Sequence, residues 1–235
     1  MIKQALKSFL PDYPVATRIL RGPFRGARVM INPRYSLRKI LGLYEHELNA
    51  WLETALWRVN RVLDVGANDG YFTFGCAAAF RRLGKPGEII AFESQARHIA
   101  TLRESVLAQP PAATPIHFEI VQVLVGKELN PGMTTLDAVH WTVDHPTART
   151  NTLVKIDVEG AEMEVIGSGH SWLRPSNLFL IEVHYSRFLD PMRAIFAEHG
   201  LRLVQVKQRP LPVLGRERRQ ETNCWLVSNL GAWVR

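Results

Sequence analysis

One short stretch, residues 62–70 (VLDVGANDG), constrains the fold of this chain more than any other segment. It begins as an apolar run, which is typical of a buried parallel strand, and it ends in a turn that contains Gly66 and Gly70. Glycine adopts positive φ angles readily and lets a ligand pass close to the backbone. Because the N–H groups that open the following helix point into the same crevice, the stretch predicts a nucleotide-type binding turn.

From residue 61 onward, strand-like and helix-like patterns alternate along the chain. Apolar runs predict seven strands, over 61–65, 88–92, 116–125, 152–158, 178–184, 201–206 and 223–227. Helical spacing predicts helices over 71–83, over 96–108, from about 161, and around 191–199. This alternation predicts an α/β fold with a doubly wound, mostly parallel, seven-stranded Rossmann-like sheet. The last connection has no helical pattern, so we expect the final strands to form an antiparallel C-terminal hairpin.

The region before this sheet, residues 1–60, has its own composition. It holds ten Lys and Arg against four acids, whereas residues 61–235 are close to neutral, and the whole chain carries a net charge of +7. It also contains an amphipathic stretch at 44–59. We therefore expect 1–60 to form a partly helical, basic N-terminal extension, packed on the sheet or over the site, and 61–235 to form the cofactor-binding domain.

The basic clusters bear on the partners of the protein. A second excess of positive charge lies at 207–219, and such clusters attract nucleic acid, anionic lipid or phosphorylated substrates. Aromatic residues are not interleaved with the basic ones as a single-strand nucleic-acid surface requires. We expect no stable nucleic-acid partner, and a small-molecule or glycan substrate instead.

Apolar runs and cysteines limit the location of the protein. No apolar run approaches the roughly 18 residues that a membrane span needs. The two cysteines, Cys76 and Cys224, lie far apart in the sequence, so we expect no disulfide framework and a reducing, cytoplasmic location. No heptad pattern announces an interface, and the oligomeric state stays open.

Acidic residues at strand ends favour one cofactor over another. Glu93 ends the second predicted strand, where a carboxylate can accept two hydrogen bonds from a ribose diol, although an acid there can also cap the next helix. Dinucleotide-binding turns use Gly-x-Gly-x-x-Gly, but here the glycines are four positions apart and Asp64 precedes them. Because a negative charge repels a diphosphate and attracts a sulfonium, the turn favours S-adenosylmethionine.

The segment 154–162 (VKIDVEGAE) carries three acids within six positions. Glu162 is accounted for by the favourable charge at a helix N-terminus. Asp157 is expected beside the turn of the first strand, facing the transferred methyl group. Because lysine is seldom buried unpaired, we expect Lys155 to pair with a carboxylate such as Asp157 or Glu182.

The fifth predicted strand ends in Glu182 and His184, which share one face by alternation. Histidine is the side chain most often placed for proton transfer, although a single histidine at a strand end is more often structural. Together with Asp157 and Glu159, these two residues could also ligate a hard cation. No His-x-x-x-His or Cys pair marks a zinc site, and we do not predict a required metal.

Five segments in order, 62–70, 91–94 (AFES), 134–137 (TTLD), 155–162 (KIDVEGAE) and 181–184 (IEVH), resemble the FkbM family of S-adenosylmethionine-dependent methyltransferases. The resemblance implies a class I methyltransferase fold and O-methylation of a hydroxyl on a sugar, glycan or polyketide/lipid-type molecule. By position it implies that Asp64, Gly66, Asn68 and Gly70 line the methionine end, that Glu93 holds the ribose and that Asp157 lies by the sulfonium. We expect the neighbouring Ala67, Tyr71 and Ser94 to bind the cofactor as well. For the transfer to a hydroxyl we expect a general base at Asp157 or His184, with Glu159 aiding orientation.

The chain departs from the family pattern at 126–133, where a longer excursion is usual, so part of the adenine pocket or a substrate loop is expected to be abbreviated. Three alternatives stay open. A dinucleotide-dependent oxidoreductase is disfavoured by the glycine spacing. A protein that binds S-adenosylmethionine without turnover is disfavoured by Glu93, Asp157 and His184. A nucleic-acid methyltransferase would use the basic N-terminal region, but no Asn/Asp-Pro-Pro-aromatic segment follows the fourth strand.

Overall fold

The computed structural model describes residues 10–140, 149–211, 215 and 224–231. Most of the basic excess predicted at 207–219 lies outside these residues. The described chain begins with an antiparallel pair, β1 (Val15–Arg18) and β2 (Arg28–Ile31). A short helix α1 (Leu37–Ile40) and a 3-10 turn (His46–Leu48) lead to α2 (Asn49–Arg58).

A seven-stranded sheet forms the centre of the molecule, and it confirms the predicted fold. Its strands are β3 (Arg61–Val65), β4 (Gly87–Glu93), β5 (Ile116–Gln122), β8 (Thr152–Ile156), β9 (Leu178–Val183), β10 (Leu203–Lys207) and β11 (Cys224–Ser228). They lie in the order β10-β11-β9-β8-β3-β4-β5. Strands β3, β4, β5, β8 and β9 run parallel, whereas β11 pairs antiparallel with both β9 and β10.

Helices cover both faces of this sheet because the buried strands place apolar side chains alternately on each face. The connecting helices are α3 (Tyr71–Leu83), α4 (Ala96–Leu107), α5 (Glu162–Gly167) and α6 (Leu189–Glu198). Val62 belongs to the core that α2, α3 and α4 cover. Its neighbour Leu63 belongs to the second core, which includes residues of α5 and α6.

Two predicted strands end earlier than their apolar patterns suggested. The run 116–125 is divided at Val123, and its last residues form β6 (Leu124–Val125), which pairs with β7 (Met133–Thr134) in a separate small sheet. Strand β8 ends at Ile156 because the chain turns sharply through Glu159 and Gly160, whose φ angles are +51° and +102°. The acids that follow β8 therefore lie in a loop.

The described part of the N-terminal region packs into the same core as the sheet. The ring of Phe24 lies edge-on to Tyr71 and Phe72, with centroids 5.1 and 5.6 Å apart. The indole of Trp51 donates to the Ser228 carbonyl at 2.8 Å, which joins α2 to the last strand. Within the described residues, no helix has the length and apolar character needed to cross a bilayer.

Candidate active site

Gly66 brings together the ends of three neighbouring strands. Its N–H and that of Ala67 both donate to the Phe92 carbonyl at 3.0 Å, which ties the turn after β3 to the end of β4. The φ angle of Gly66 is +82°, and a Cβ atom here would lie 1.9 Å from the Asp157 carbonyl oxygen after β8. Only glycine combines this backbone angle with so close an approach. The turn is therefore a junction at the carboxyl edge of the sheet.

The side chain of Lys155 contacts the residues of this junction. Its ammonium donates to the Gly66 carbonyl at 2.6 Å and lies 3.1 Å from Asp64 and 3.5 Å from Asp157. Burial disfavours the charge, yet the two carboxylates outweigh burial and raise the pKa of Lys155. The predicted pair with Asp157 is present, and Asp64 is a second partner that the sequence reasoning did not name. Asp64 also accepts a hydrogen bond from the Thr73 hydroxyl at 2.5 Å.

Glu93 ends β4 with both carboxylate oxygens oriented by backbone groups. One oxygen accepts the Asn68 N–H at 2.9 Å and the other accepts the Gln95 N–H at 2.8 Å. Asn68 reaches this position with a positive φ of +50°, a conformation that costs a few kcal/mol in most residues and that asparagine tolerates better. A carboxylate has about four lone-pair sites, so each oxygen of Glu93 keeps acceptor capacity for a ligand hydroxyl.

A cleft of about 240 Å³ opens along this edge of the sheet. Six of the predicted site residues line it, namely Gly66, Asn68, Glu93, Ser94, Asp157 and Glu159. The sequence reasoning missed other lining residues, which include Gln95, His98, Val123, Leu124 and Val125. The apolar run 116–125 was the available signal for the last three, but it was assigned wholly to a strand of the central sheet.

Four other predicted cofactor residues are not among those that line the cleft. Asp64 is fully buried, and Ala67 is almost so. A Cβ atom on Gly70 would meet Phe74 and Leu102, so this glycine serves close packing between helices as well as the turn. Tyr71 is buried against Phe24 and Tyr44.

The segment before α2 contacts the glycine turn from the other side. Lys39 forms an ion pair with Asp69, inside the turn. Its ammonium also lies 5.0 Å from the Tyr44 ring and 5.4 Å from the Tyr71 ring. These contacts fix the N-terminal region against the turn.

His184 lies after β9, among carboxylates of several elements. Its Nδ1 contacts Glu162 in the first turn of α5, and its Nε2 lies 3.3 Å from Glu159 and 4.0 Å from Asp157. The hydrogen bond to Glu162 raises the pKa of His184 against the opposing effect of burial, and the charges of Asp157 and Glu159 raise it further. The imidazole thus connects a fully buried carboxylate to two residues of the cleft wall.

Asp157, Glu182 and His184 also meet as a group. Their ligand atoms all lie within 4.8 Å of one another, and all three side chains are half-buried. The expected common face of Glu182 and His184 is therefore present. Carboxylate oxygens with an imidazole nitrogen can also bind a divalent cation.

A comparison with protein families bears directly on this arrangement. Residues 106–203 match the family model of the methyltransferase FkbM domain. This match confirms the resemblance to the FkbM methyltransferases. It spans the loop after β8 and His184, whereas the glycine turn lies ahead of it.

One solved structure agrees with the methyltransferase fold. A methyltransferase FkbM from Methylobacillus flagellatus KT superposes with a TM-score of 0.52 at 13% identity, over 97% of this chain and 58% of that one. This chain therefore spans a little more than half of that FkbM protein. A precorrin-6Y C5,15-methyltransferase from Geobacter metallireducens GS-15 gives a TM-score of 0.45 at 13% identity, over 76% of this chain and 86% of that one. No curated protein matches the sequence significantly.

The family and the fold imply S-adenosylmethionine as the cofactor. The cleft residues fit that group, because Glu93 has lone pairs to accept from ribose hydroxyls and Asp157 supplies negative charge for a sulfonium. The sequence predicted negative charge for the sulfonium from both Asp64 and Asp157. Asp64 is fully buried beside Lys155, and the acids that line the cleft are Glu93, Asp157 and Glu159.

Proposed function

We propose that this protein is an S-adenosylmethionine-dependent O-methyltransferase that acts on a hydroxyl of a sugar, glycan or polyketide/lipid-type small molecule. The observation that carries the proposal is the position of His184 Nε2, which faces two carboxylates of the cleft wall, Asp157 and Glu159. A hydroxyl is a poor nucleophile at neutral pH, so its methylation benefits from a nearby proton acceptor.

The side chains divide the work as follows. When bound, S-adenosylmethionine supplies an electrophilic methyl group. Glu93 accepts hydrogen bonds from the ribose hydroxyls, and the backbone at Gly66 and Asn68 forms the wall at the turn. His184 Nε2 accepts the proton of the acceptor hydroxyl, while Asp157 and Glu159 hold the hydroxyl near it and stabilise the imidazolium that forms. Much of the rate enhancement comes from holding the reacting groups in line.

The test uses ¹³C-methyl-labelled S-adenosylmethionine and a panel of acceptors. Methyl glycosides, oligosaccharides and hydroxylated polyketides are offered beside amine acceptors, RNA and DNA as controls. An O-methyl resonance in the product of a hydroxyl acceptor is the expected result. Methylation confined to nucleic acid or to amines contradicts the proposal, and S-adenosylhomocysteine binding without transfer to any acceptor favours a protein that binds the cofactor without turnover.

A second candidate is O-methylation assisted by a divalent cation. The cluster of Asp157, Glu182 and His184, with ligand atoms within 4.8 Å of one another, is the observation that favours it. In that case the cation would polarise the acceptor hydroxyl, and His184 would be a ligand in place of a base. Dialysis against EDTA separates the two: loss of activity that Mg²⁺ or Mn²⁺ restores supports the cation, and unchanged activity supports the histidine base.

A further inference from the structure

Glu162 is more deeply buried and makes more contacts than an acid at a helix N-terminus needs in order to interact with the helix dipole. Its side chain is fully buried, whereas Glu164, two positions later in the same first turn, is exposed to solvent. One oxygen of Glu162, Oε1, contacts both the Gly160 N–H, at 3.0 Å, and Nδ1 of His184. Burial of a carboxylate is costly unless its hydrogen bonds compensate, so this contact is more than a charge placed near a helix dipole.

The donors around this oxygen determine the form of the imidazole. The Gly160 N–H can only donate, and an ionised carboxylate can only accept. Nδ1 of His184 must therefore carry a hydrogen and donate it to Glu162. In the charged ring, Nε2–H faces the carboxylates of Glu159 and Asp157, 3.3 and 4.0 Å away. When the ring becomes neutral only one nitrogen stays protonated, and because Glu162 keeps the hydrogen on Nδ1, Nε2 is the nitrogen that carries the lone pair.

We propose that Glu162 is a positioning residue, which holds His184 in the Nδ1–H tautomer and directs the basic Nε2 atom toward Asp157 and Glu159 of the cleft wall. The proposal rests on the proposed function for the use of that atom. Gly160 contributes to the geometry, because its φ of +102° lets its N–H reach Glu162 and because a Cβ atom there would lie 2.6 Å from the Tyr185 ring.

The charge of the ring depends on every acid that faces it. These are Glu162 from α5, Asp157 and Glu159 from the loop after β8, and Glu182 from β9. The hydrogen bond to Glu162 is the largest influence and raises the pKa of His184 above its ordinary value of 6.5.

The test compares Glu162→Gln with Glu164→Gln. Both changes remove one negative charge from the first turn of the same helix, but only the first removes the carboxylate that His184 contacts. A glutamine amide can either donate or accept, so Glu162→Gln no longer selects one tautomer. We expect kcat to fall by at least roughly tenfold in Glu162→Gln and to stay near that of the original protein in Glu164→Gln.

A readout that does not need activity is the ¹⁵N NMR spectrum of the histidine rings, measured on the complex with S-adenosylhomocysteine. The resonances of His184 are identified by their loss in His184→Gln. We expect the Nδ1–H tautomer in the original protein and in Glu164→Gln, and a mixture of the Nδ1–H and Nε2–H tautomers in Glu162→Gln. An Nε2–H tautomer in the original protein overturns the proposal, even if Glu162→Gln does not fold.

The two proposals fail in different ways. If no hydroxyl acceptor is methylated but the ring carries its proton on Nδ1, the proposed function is wrong and the positioning of the ring by Glu162 stands. If hydroxyl methylation is found and Glu162→Gln retains both its rate and a single Nδ1–H tautomer, the function stands and the role of Glu162 is refuted.

Discussion

Gly66→Ala is expected to disrupt the junction between the glycine turn and the loop after β8. The added methyl group would lie 1.9 Å from the Asp157 carbonyl oxygen, and the residue would keep a φ near +82°. Carbon and oxygen atoms that are not bonded prefer separations above about 3 Å, so the two backbones must move apart by more than about 1 Å. The carbonyl is part of the backbone and cannot rotate away as a flexible side chain would.

The size of the effect follows from two contributions. A left-handed conformation costs an alanine roughly 1–2 kcal/mol, and overpacking typically adds 1–3 kcal/mol. The free energy of unfolding should therefore fall by about 2–5 kcal/mol. Gly84→Ala is the matched control, because Gly84 also has a positive φ, of +64°, and a Cβ atom there would meet nothing within 4 Å. In Gly84→Ala the free energy of unfolding should fall only by the cost of the left-handed conformation, roughly 1–2 kcal/mol.

Urea unfolding followed by the fluorescence of the six tryptophans measures both variants. Calorimetric titration then measures the affinity of the cleft for S-adenosylhomocysteine. This affinity should change because displacement of the turn also displaces Asp157. We expect weaker binding in Gly66→Ala and unchanged binding in Gly84→Ala. If Gly66→Ala is no less stable than Gly84→Ala and binds equally well, the close approach at the junction does not constrain this site.

Three further changes test the site residues. Asp157→Asn should keep the fold and reduce kcat by roughly 100-fold or more, since the acid loses its charge beside the reacting groups; undiminished turnover would remove Asp157 from the catalytic role. Glu93→Gln should weaken S-adenosylhomocysteine binding by about 10- to 100-fold, the worth of a hydrogen bond to a charged group, and an unchanged Kd in calorimetry would contradict ribose binding. Lys155→Met should lower the free energy of unfolding in urea by roughly 3–5 kcal/mol, because Asp64 stays buried without its counter-charge. Adding Asp64→Asn to this variant should restore part of that loss. A double variant no more stable than Lys155→Met would refute the pairing.

The order of strands and helices was predictable because the signals for it are local. Apolar runs separated by helical spacing gave the seven strands, and the missing helix before the last strand indicated its antiparallel pairing. Strand ends were less predictable. The pattern 152–158 looks continuous, yet β8 stops at Ile156 because Glu159 and Gly160 adopt positive φ angles, and composition does not encode such angles.

The carboxylates of the site illustrate the limit of the sequence most clearly. Alternation and position brought Asp64, Glu93, Asp157 and His184 to one edge of the sheet, because the carboxyl ends of parallel strands share an edge. The sequence could not say which acids face the cleft and which face another side chain. The sheet order sets β3 beside β8, so Lys155 contacts both Asp64, which is fully buried, and Asp157, which also lines the cleft.

By itself, then, the sequence determined the fold class, the glycine turn and the set of charged residues at the carboxyl edge, since periodicity and turn chemistry are properties of neighbouring residues. The sequence also indicated that Lys155 pairs with Asp157, but only the tertiary structure decided the other charge pairs. Glu162 and His184 belong to α5 and to the end of β9, and they meet through a hydrogen bond across two elements. Such a contact depends on how a helix packs against a sheet, and no spacing along the chain records it.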